Sequence, residues 1–191
     1  MSPLTAAAIF LILTVNEGGE ETVRDLLADV SGLQRSVGFR IPEGELQVVT
    51  AIGSDAWDRL FAGPRPGELH PFRELTGPRH HAPATPGDLL FHIRANRADL
   101  CFEFAARVMD RLRDVVTVAD EVHGFRYFDE RDLIGFVDGT ESPGGRAGAK
   151  KLQPVSAVEK SGIRSVLPGG LPRNMFSSIR SVIDGVAAYA M

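Results

Sequence analysis

The chain has a single cysteine, Cys101, among its 191 residues. One thiol cannot form an internal disulfide, which is typical of proteins from a reducing cytoplasm. Cys101 lies in an apolar stretch with helical spacing, so a buried core residue is predicted rather than a nucleophile. The apolar run at residues 6–15 is about half as long as a membrane-spanning helix, and no Lys or Arg precedes it as in a secretory signal. We therefore expect a soluble, cytoplasmic protein.

Lysine is absent from residues 1–149, which contain 15 arginines and 23 acidic residues, a formal charge of −8. Residues 150–191 contain all three lysines, three arginines and two acidic residues, a formal charge of +4. The overall charge of −4 argues against nucleic acid or an anionic membrane surface as the main partner. The change in composition near residue 150 predicts a boundary in the chain.

Apolar runs predict four strands, at residues 5–15, 46–53, 88–95 and 115–128. Two amphipathic helices are predicted between them, one that follows Gly18 and Gly19 and ends near Gly32, and one at residues 99–112. The region 63–87 is rich in Pro, Gly and His, and is predicted to be a long surface loop. The order strand–helix–strand–strand–helix–strand predicts an α+β fold, a ferredoxin-like split β-α-β unit with a four-stranded antiparallel sheet.

At residues 133–143 an apolar run reaches a carboxylate and a glycine, in the order Leu-Ile-Gly-Phe-Val-Asp-Gly-Thr-Glu-Ser-Pro. An Asp before a Gly commonly forms only an Asx turn, so the short pattern alone carries little information. The longer string resembles the signature of the dye-decolorising (DyP-type) haem peroxidases. Other segments resemble that family in the same order, at residues 2–13, 36–40, 52–61, 84–94 and 121–125. The resemblance covers about residues 2–145 and stops there.

The resemblance implies a chain in which two ferredoxin-like units stack and haem b is held against the second. Residues 1–130 are then interpreted as the first unit and residues 131–149 as the start of the haem-binding unit. Residues 150–191 are an atypical tail, predicted to be poorly ordered or weakly helical. The second unit is therefore incomplete in this sequence.

The activity that the resemblance implies is haem-dependent, hydrogen-peroxide-driven oxidation of dyes and phenolic donors. Its partners would be hydrogen peroxide and a small one-electron donor. Asp138 matches the family's distal acid–base residue. The matching segment that lines the haem consists of Gly135, Phe136, Val137, Gly139, Thr140 and Glu141. Such a site also needs a cation and an axial ligand, commonly a histidine oriented by a carboxylate.

Those two further roles have no counterpart in the sequence. In the family the axial histidine and the distal arginine follow the signature, whereas this chain has no histidine after His123. Arg164, Arg173 and Arg180 follow the signature but match no family context. The five histidines are each interpreted as structural or solvated, and no metal site is predicted. Peroxidase activity is therefore expected to be impaired or absent, which leaves open a non-catalytic fragment or a ferredoxin-like small-molecule binding module.

Two hypotheses follow from the atypical ending. Codons compatible with residues 162–173, read in another frame, can spell Asn-Pro-Glu-Cys-Phe-Ala-Gly-Gly-Ser-Ser-Ala, which resembles the stretch expected soon after the family signature. The tail is thus interpreted as the product of a frame change, which the nucleotide sequence tests. The sheet face that the second unit normally covers is expected to be exposed and apolar, which predicts self-association through that sheet or inter-unit surface.

Overall fold

The computed structural model describes residues 5–131 and 133–135, together with the backbone of residues 186–188. The chain divides into two compact units. The first includes Thr5–Phe125 and the short strand near the C-terminus, and the second includes the described residues that follow Phe125. Among the described residues, no helix has the length and apolar character needed to cross a membrane.

The first unit alternates strands and helices along the chain. Its elements are β1 (Ala7–Val15), α1 (Glu20–Gly38), a 3-10 turn (Pro42–Gly44), β2 (Gln47–Gly53), α2 (Ser54–Leu60), β3 (Leu75–Thr76), β4 (His81–Ala82), β5 (Leu89–Ala95), α3 (Ala98–Leu112), β6 (Val116–Phe125) and β7 (Val186–Ala188). The second unit contributes a 3-10 turn at Phe128–Glu130. In the predicted surface loop, β3 and β4 form a two-residue ladder.

The main sheet has the strand order β6-β1-β5-β2-β7, and each neighbouring pair is antiparallel. The first four strands in this order are the fourth, first, third and second long strands of the chain. This is the arrangement of a split β-α-β unit, so the predicted fold class is confirmed. β7 adds a fifth, short strand to the edge formed by β2, where Ala51 lies opposite Ala188.

One face of the sheet packs on the helices to form the main core. Alternate residues of β1 belong to this core, namely Ile9, Leu11, Leu13 and Val15. They pack in one cluster with the buried sides of α1 and α3, whose members are Val23, Leu26, Leu27, Val37, Leu100, Cys101, Phe104, Val108 and Leu112. The apolar residues that alternate along β1 thus pack against those that recur at helical spacing in α1 and α3.

Two predicted boundaries were wrong. α1 continues past Gly32 to Gly38, because the buried Val37 extends the apolar face by another turn. The predicted fourth strand was expected to run to Phe128, but β6 ends at Phe125. Asp129 and Glu130 just beyond have φ values of 54° and 57°, and this left-handed backbone cannot continue a ladder.

The opposite face of the sheet carries a smaller apolar cluster. Ile12, Ala51 and Leu90 are buried there, and Phe10 packs against them. The expectation that this face would be an exposed apolar surface is therefore wrong for its centre, where Ile12 is 0% exposed. Ile12 lies on β1, between Leu90 of β5 and Asp120 of β6.

Only three residues of the predicted tail are described. Val186–Ala188 form β7, and the expectation of a poorly ordered or weakly helical tail over residues 150–191 stays a prediction. Their pairing with β2 supplies hydrogen-bond partners that a helix would instead take from within itself. The rest of residues 150–191 lies outside the described residues, and the division of the chain at 130 and 149 stays a prediction.

Candidate functional site

The described structure reaches the predicted site at its first residue. Gly135 is exposed and has φ of +97°, a conformation that side chains with a Cβ rarely adopt. Its carbonyl oxygen accepts a hydrogen bond of 2.8 Å from Nη1 of Arg131, which fixes the turn that leads into the signature. The remaining predicted site residues lie outside the described residues: Phe136, Val137, Asp138, Gly139, Thr140 and Glu141.

The segment that precedes Gly135 combines unusual backbone with exposed apolar side chains. Asp129 and Glu130 are consecutive left-handed residues, an arrangement that costs free energy for residues other than glycine and often occurs next to functional sites. Nη1 of Arg126 lies 3.3 Å from Oε1 of Glu130. Phe128 is 74% exposed, and the contacts described in this segment are backbone turns and the ion pair between Arg126 and Glu130.

A polar group of side chains lies on the sheet face opposite the helices. The ring of His92 stacks on Phe10, with centroids 4.4 Å apart and planes inclined by 11°. Burial, together with the nearby charge of Arg94, lowers the pKa of His92 to about 4. Arg94 donates from Nη2 to Oε1 of Gln47 at 2.8 Å. His92 is therefore neutral at physiological pH and is held as part of the sheet, as its structural interpretation predicted.

A second polar group, which we call the Arg59 cluster, joins four elements at one end of the sheet. It consists of Arg59, Glu20, Asp88 and the carbonyl of Val15. Nε of Arg59 donates to Oε1 of Glu20 at 3.0 Å, and Nη2 donates to the Val15 oxygen at 3.0 Å. Oδ2 of Asp88 accepts from the backbone nitrogen of Val15 at 2.7 Å. The hydrogen bond to Glu20 raises the pKa of Arg59 and lowers that of Glu20.

The Arg59 cluster holds the ends of neighbouring helices and strands together, and its role is structural. It fixes the end of β1, the first turn of α1, the last turn of α2 and the residue that precedes β5. Sequence reasoning missed this cluster, although Asp88 directly before a buried strand and Arg59 at the end of a helix both lie in segments that resemble the family. The signal was present in sequence, but the partners become evident only once the strands are placed side by side.

The described residues do not fit a haem site. His92 is enclosed in its stack with Phe10, and Nε2 of His123 lies 2.5 Å from Oε1 of Glu121 on an exposed edge strand. The other histidines, His70, His80 and His81, are exposed in the loop. Within the described chain, no three His, Cys, Asp or Glu side chains gather to hold a metal ion. The thiol of Cys101 is buried, which raises its pKa to about 11 and keeps it protonated.

The family model for the N-terminal part of Dyp-type peroxidases matches residues 1–126. Among similar proteins, a dye-decolorizing peroxidase of Rhodococcus erythropolis is 69% identical over 147 residues, which are 77% of this chain and 43% of that protein. The dye-decolorizing peroxidase of Mycobacterium tuberculosis is 68% identical over 145 residues, which are 76% of this chain and 43% of that protein. The chain thus spans less than half the length of these relatives.

Solved structures show the same fold and the same partial coverage. The encapsulated DyP-type peroxidase from Mycobacterium smegmatis, solved by cryo-EM, is 62% identical with a TM-score of 0.74, covering 76% of this chain and 47% of that chain. DyPB from Rhodococcus jostii is 49% identical with a TM-score of 0.75, covering 78% of this chain and 49% of that chain. A variant of the same Rhodococcus protein, solved in complex with heme, has a TM-score of 0.74 at 49% identity, covering 76% of this chain and 48% of that chain.

Proposed function

The chain belongs to the DyP-type peroxidase family, and we propose that it supplies the N-terminal ferredoxin-like unit and the distal acid–base residue of such an enzyme. The observation that carries this proposal is the family match over residues 1–126, followed directly in sequence by the signature around Asp138. The activity proposed for the whole protein is haem-dependent oxidation of dyes and phenolic donors by hydrogen peroxide.

In this proposal Asp138 holds and moves the proton during peroxide cleavage. Gly135, Phe136, Val137, Gly139, Thr140 and Glu141 form the segment that faces the haem. Gly135 supports this proposal because its left-handed backbone accepts a hydrogen bond from Arg131 at the first residue of the segment, three positions before Asp138 in the sequence.

We propose further that the 191-residue chain by itself is not a competent peroxidase. The sequence has no histidine after His123, and the described histidines are either enclosed, ion-paired or exposed in a loop. His81 and His123 each pair with a carboxylate, but their side chains are 51% and 59% exposed, whereas a haem-binding histidine lies in an enclosed pocket. The 191 residues would then act as a scaffold fragment, which is the second candidate function, and this absence of a usable histidine favours it.

Haem titration of the purified chain tests both proposals. We expect no sharp Soret band at stoichiometric haem and no peroxide-dependent dye bleaching from the chain alone. A Soret band with bleaching that the Asp138→Asn variant loses would overturn the scaffold proposal while supporting the role of Asp138. The Asp129→Asn variant is a matched control, because it changes a neighbouring acidic residue that the proposal leaves out of the site.

Adding the missing half in trans tests the role of Asp138 more directly. The C-terminal part of the Rhodococcus erythropolis relative, beginning after its signature, can be co-expressed with this chain. We expect peroxide-dependent bleaching from the pair and its loss with Asp138→Asn. Bleaching that survives Asp138→Asn would contradict the proposed role of that residue.

We place the reaction in the cytoplasm, a proposal that the single buried thiol supports.

A further inference from the structure

β2 has a sequence that favours the addition of further strands. It reads Gln-Val-Val-Thr-Ala-Ile-Gly and includes no charged residue and no proline. Short segments with high β-propensity, no net charge and no proline pair readily with other strands when their edge is open. In the main sheet β2 lies between β5 and β7. Without β7, it would therefore be an unprotected edge of the described sheet.

β6, which ends the described sheet on the other side, differs from β2 in both respects. It carries Asp120 and Glu121, and its register against β1 shifts between Ile12 and Leu13. Charged side chains and a bulge both discourage a further strand from pairing. β2 has neither, because its registers against β5 and β7 run without a shift. Protection of the β2 edge must therefore come from another segment.

The hydrogen bond of Gly53 shows which backbone groups of β2 point outward. The backbone nitrogen of Gly53 donates to the Asp88 oxygen at 2.8 Å, on the side of β5. Successive residues of a strand direct their N–H and C=O groups to alternate sides, so those of Ile52 point away from β5 and toward β7. Ile52 lies directly opposite Ala187. Ile52 and Ala187 are therefore the residues that exchange backbone hydrogen bonds between β2 and β7.

β7 lies along the buried end of β2. Its partners, residues 51–53, are all buried, whereas residues 47–49 at the other end are half-buried. β7 has three residues, so its pairing supplies few hydrogen bonds, and each contributes little net stability. A strand held in this way opens locally while the rest of the sheet stays folded.

β7 comes from a part of the chain that the family model does not match. The match ends at residue 126, and the resemblance in sequence stops near residue 145, whereas β7 begins at Val186. The four strands within the matched residues have β2 at one edge. The atypical tail supplies the strand that covers this edge, and the pairing depends neither on haem nor on the proposed function.

We propose that β7 is an edge cover, which occupies the strand-accepting edge of β2 and prevents strands of other molecules from pairing there. The occupant is a segment of the same chain because the structure places Val186–Ala188 on this edge in antiparallel register. A covalently attached strand has a high effective concentration at its site, so a few hydrogen bonds hold it there. When the cover opens, the outward N–H and C=O groups of Ile52 become available to any extended peptide.

Amide hydrogen exchange at single-residue resolution tests the cover directly. Ala187→Pro removes the N–H that donates to Ile52, and proline cannot join the ladder at this position. We expect the Ile52 amide to exchange about tenfold faster in this variant, because the strand that accepts its hydrogen bond is displaced. The Gly53 amide should keep the parent rate, since it donates to Asp88 rather than to β7.

The matched control is Ala187→Val, because valine retains the N–H and favours strands. It should leave the Ile52 amide at the parent rate. An Ile52 amide that exchanges equally fast in the parent and in Ala187→Pro would overturn the proposal. Equal acceleration of Ile52 and Gly53 would also overturn it, because this end of β2 would then open as a whole rather than lose a cover.

The protective role is tested by the aggregation of a chain that ends at Gly185. We expect this shortened chain to form thioflavin-T-positive assemblies faster than the parent, with a steeper rise in light scattering, because the β2 edge is open. Ala187→Pro should aggregate in the same way, whereas Ala187→Val should behave like the parent. Circular dichroism before aggregation shows whether each variant is folded.

A lysine on β2 should replace the cover in the shortened chain. Val49 is half-buried and lies opposite His92, on the face away from the helices, so a lysine there extends to water and opposes further pairing. Val49→Lys should restore the slow aggregation of the parent. Ser31→Lys adds the same charge at an exposed residue of α1 and should not. Equal rescue by the two lysines, or a shortened chain that aggregates no faster than the parent, would overturn the protective role of β7.

Discussion

The two faces of the main sheet are built from alternate residues of the same strands, yet they differ in chemistry. On the face toward the helices, Leu89 and Phe91 of β5 are 1% and 0% exposed and join the main core. On the other face, the alternate residues Leu90, His92 and Arg94 combine a small apolar cluster with an imidazole and a guanidinium. β5 therefore contributes apolar side chains to the main core from one face and a mixed apolar and polar group from the other.

This difference shows how far each face of the sheet depends on particular residues. The helix-facing side needs only apolar groups at the right period, and many sequences satisfy that condition. The other side places polar atoms out of water, which is unfavourable unless specific partners receive them. Gln47 accepts a hydrogen bond from Nη2 of Arg94, while Nε of Arg94 is buried with no hydrogen-bond partner among the described residues. Phe10 stacks on the ring of His92, which is a packing contact. The second face thus depends on particular residues in register, whereas the first depends on pattern.

The largest expected effect comes from neighbouring leucines on β5 that point to opposite faces. Leu89→Ala removes a side chain enclosed by the sheet and helices, and should lower the free energy of unfolding by about 3–4 kcal/mol. Leu90→Ala acts in the smaller cluster, where Leu90 is 6% exposed, and should cost about 2 kcal/mol. Urea unfolding with an unchanged m value measures both.

The control for this pair is Leu75→Ala in β3, where the side chain is 62% exposed and the change should have little effect. Equal losses at Leu89 and Leu90 would contradict the comparison, because they would show that the second face is packed as tightly as the first.

A smaller effect is expected from the pH dependence of the second face. The pKa of His92 is lowered from 6.5 to about 4 in the folded chain, chiefly by burial. Between these values the unfolded chain binds more protons, so the free energy of unfolding falls as the pH decreases through this window. The contribution is complete above pH 6.5 and is lost by pH 4, at most about 3 kcal/mol. Unfolding measured at several pH values tests this slope.

The matched variant is His92→Phe, which retains a ring for stacking on Phe10 but cannot be protonated. Its unfolding free energy should change less steeply than that of the parent between pH 4 and 6.5. His80→Phe, at an exposed loop position, should leave the parent slope intact. A parent slope that survives His92→Phe would mean that carboxylates elsewhere cause the acid sensitivity.

The same distinction explains what could be predicted from sequence. The four long strands and their order were predicted, because apolar periodicity records which residues enter a core. The continuous apolar run of β1 predicted a central strand, and both of its faces are indeed buried around Leu11 and Ile12. The stack of Phe10 on His92 was not predicted, because cross-strand register is decided by tertiary structure. β7 was missed for the same reason, since nothing local in residues 186–188 specifies pairing with β2.

The candidate site was predicted by resemblance rather than by physical pattern. The spacing around Asp138 predicts only a turn residue. Its proposed role as the acid–base residue comes from the resemblance of the longer string around it to the family signature. The described structure adds the left-handed Gly135 and its bond from Arg131 at the start of that string. The Arg59 cluster was missed because its members are far apart in sequence: Glu20, Arg59 and Asp88.

The smallest expected loss of stability comes from the Arg59 cluster, which lies at one end of the main sheet. Arg59→Ala removes the hydrogen bonds to Glu20 and to the Val15 carbonyl, but its side chain is 38% exposed, so water replaces part of what is lost. We expect a loss of about 1 kcal/mol in urea unfolding. Arg65→Ala removes a similarly exposed arginine, 37%, that pairs with Asp58 alone, and should cause no measurable change. The contrast arises because Arg59 also binds a backbone carbonyl at the end of β1. If both variants unfold at the parent midpoint, that backbone contact contributes nothing to stability, and the end of the sheet is held by the apolar core alone.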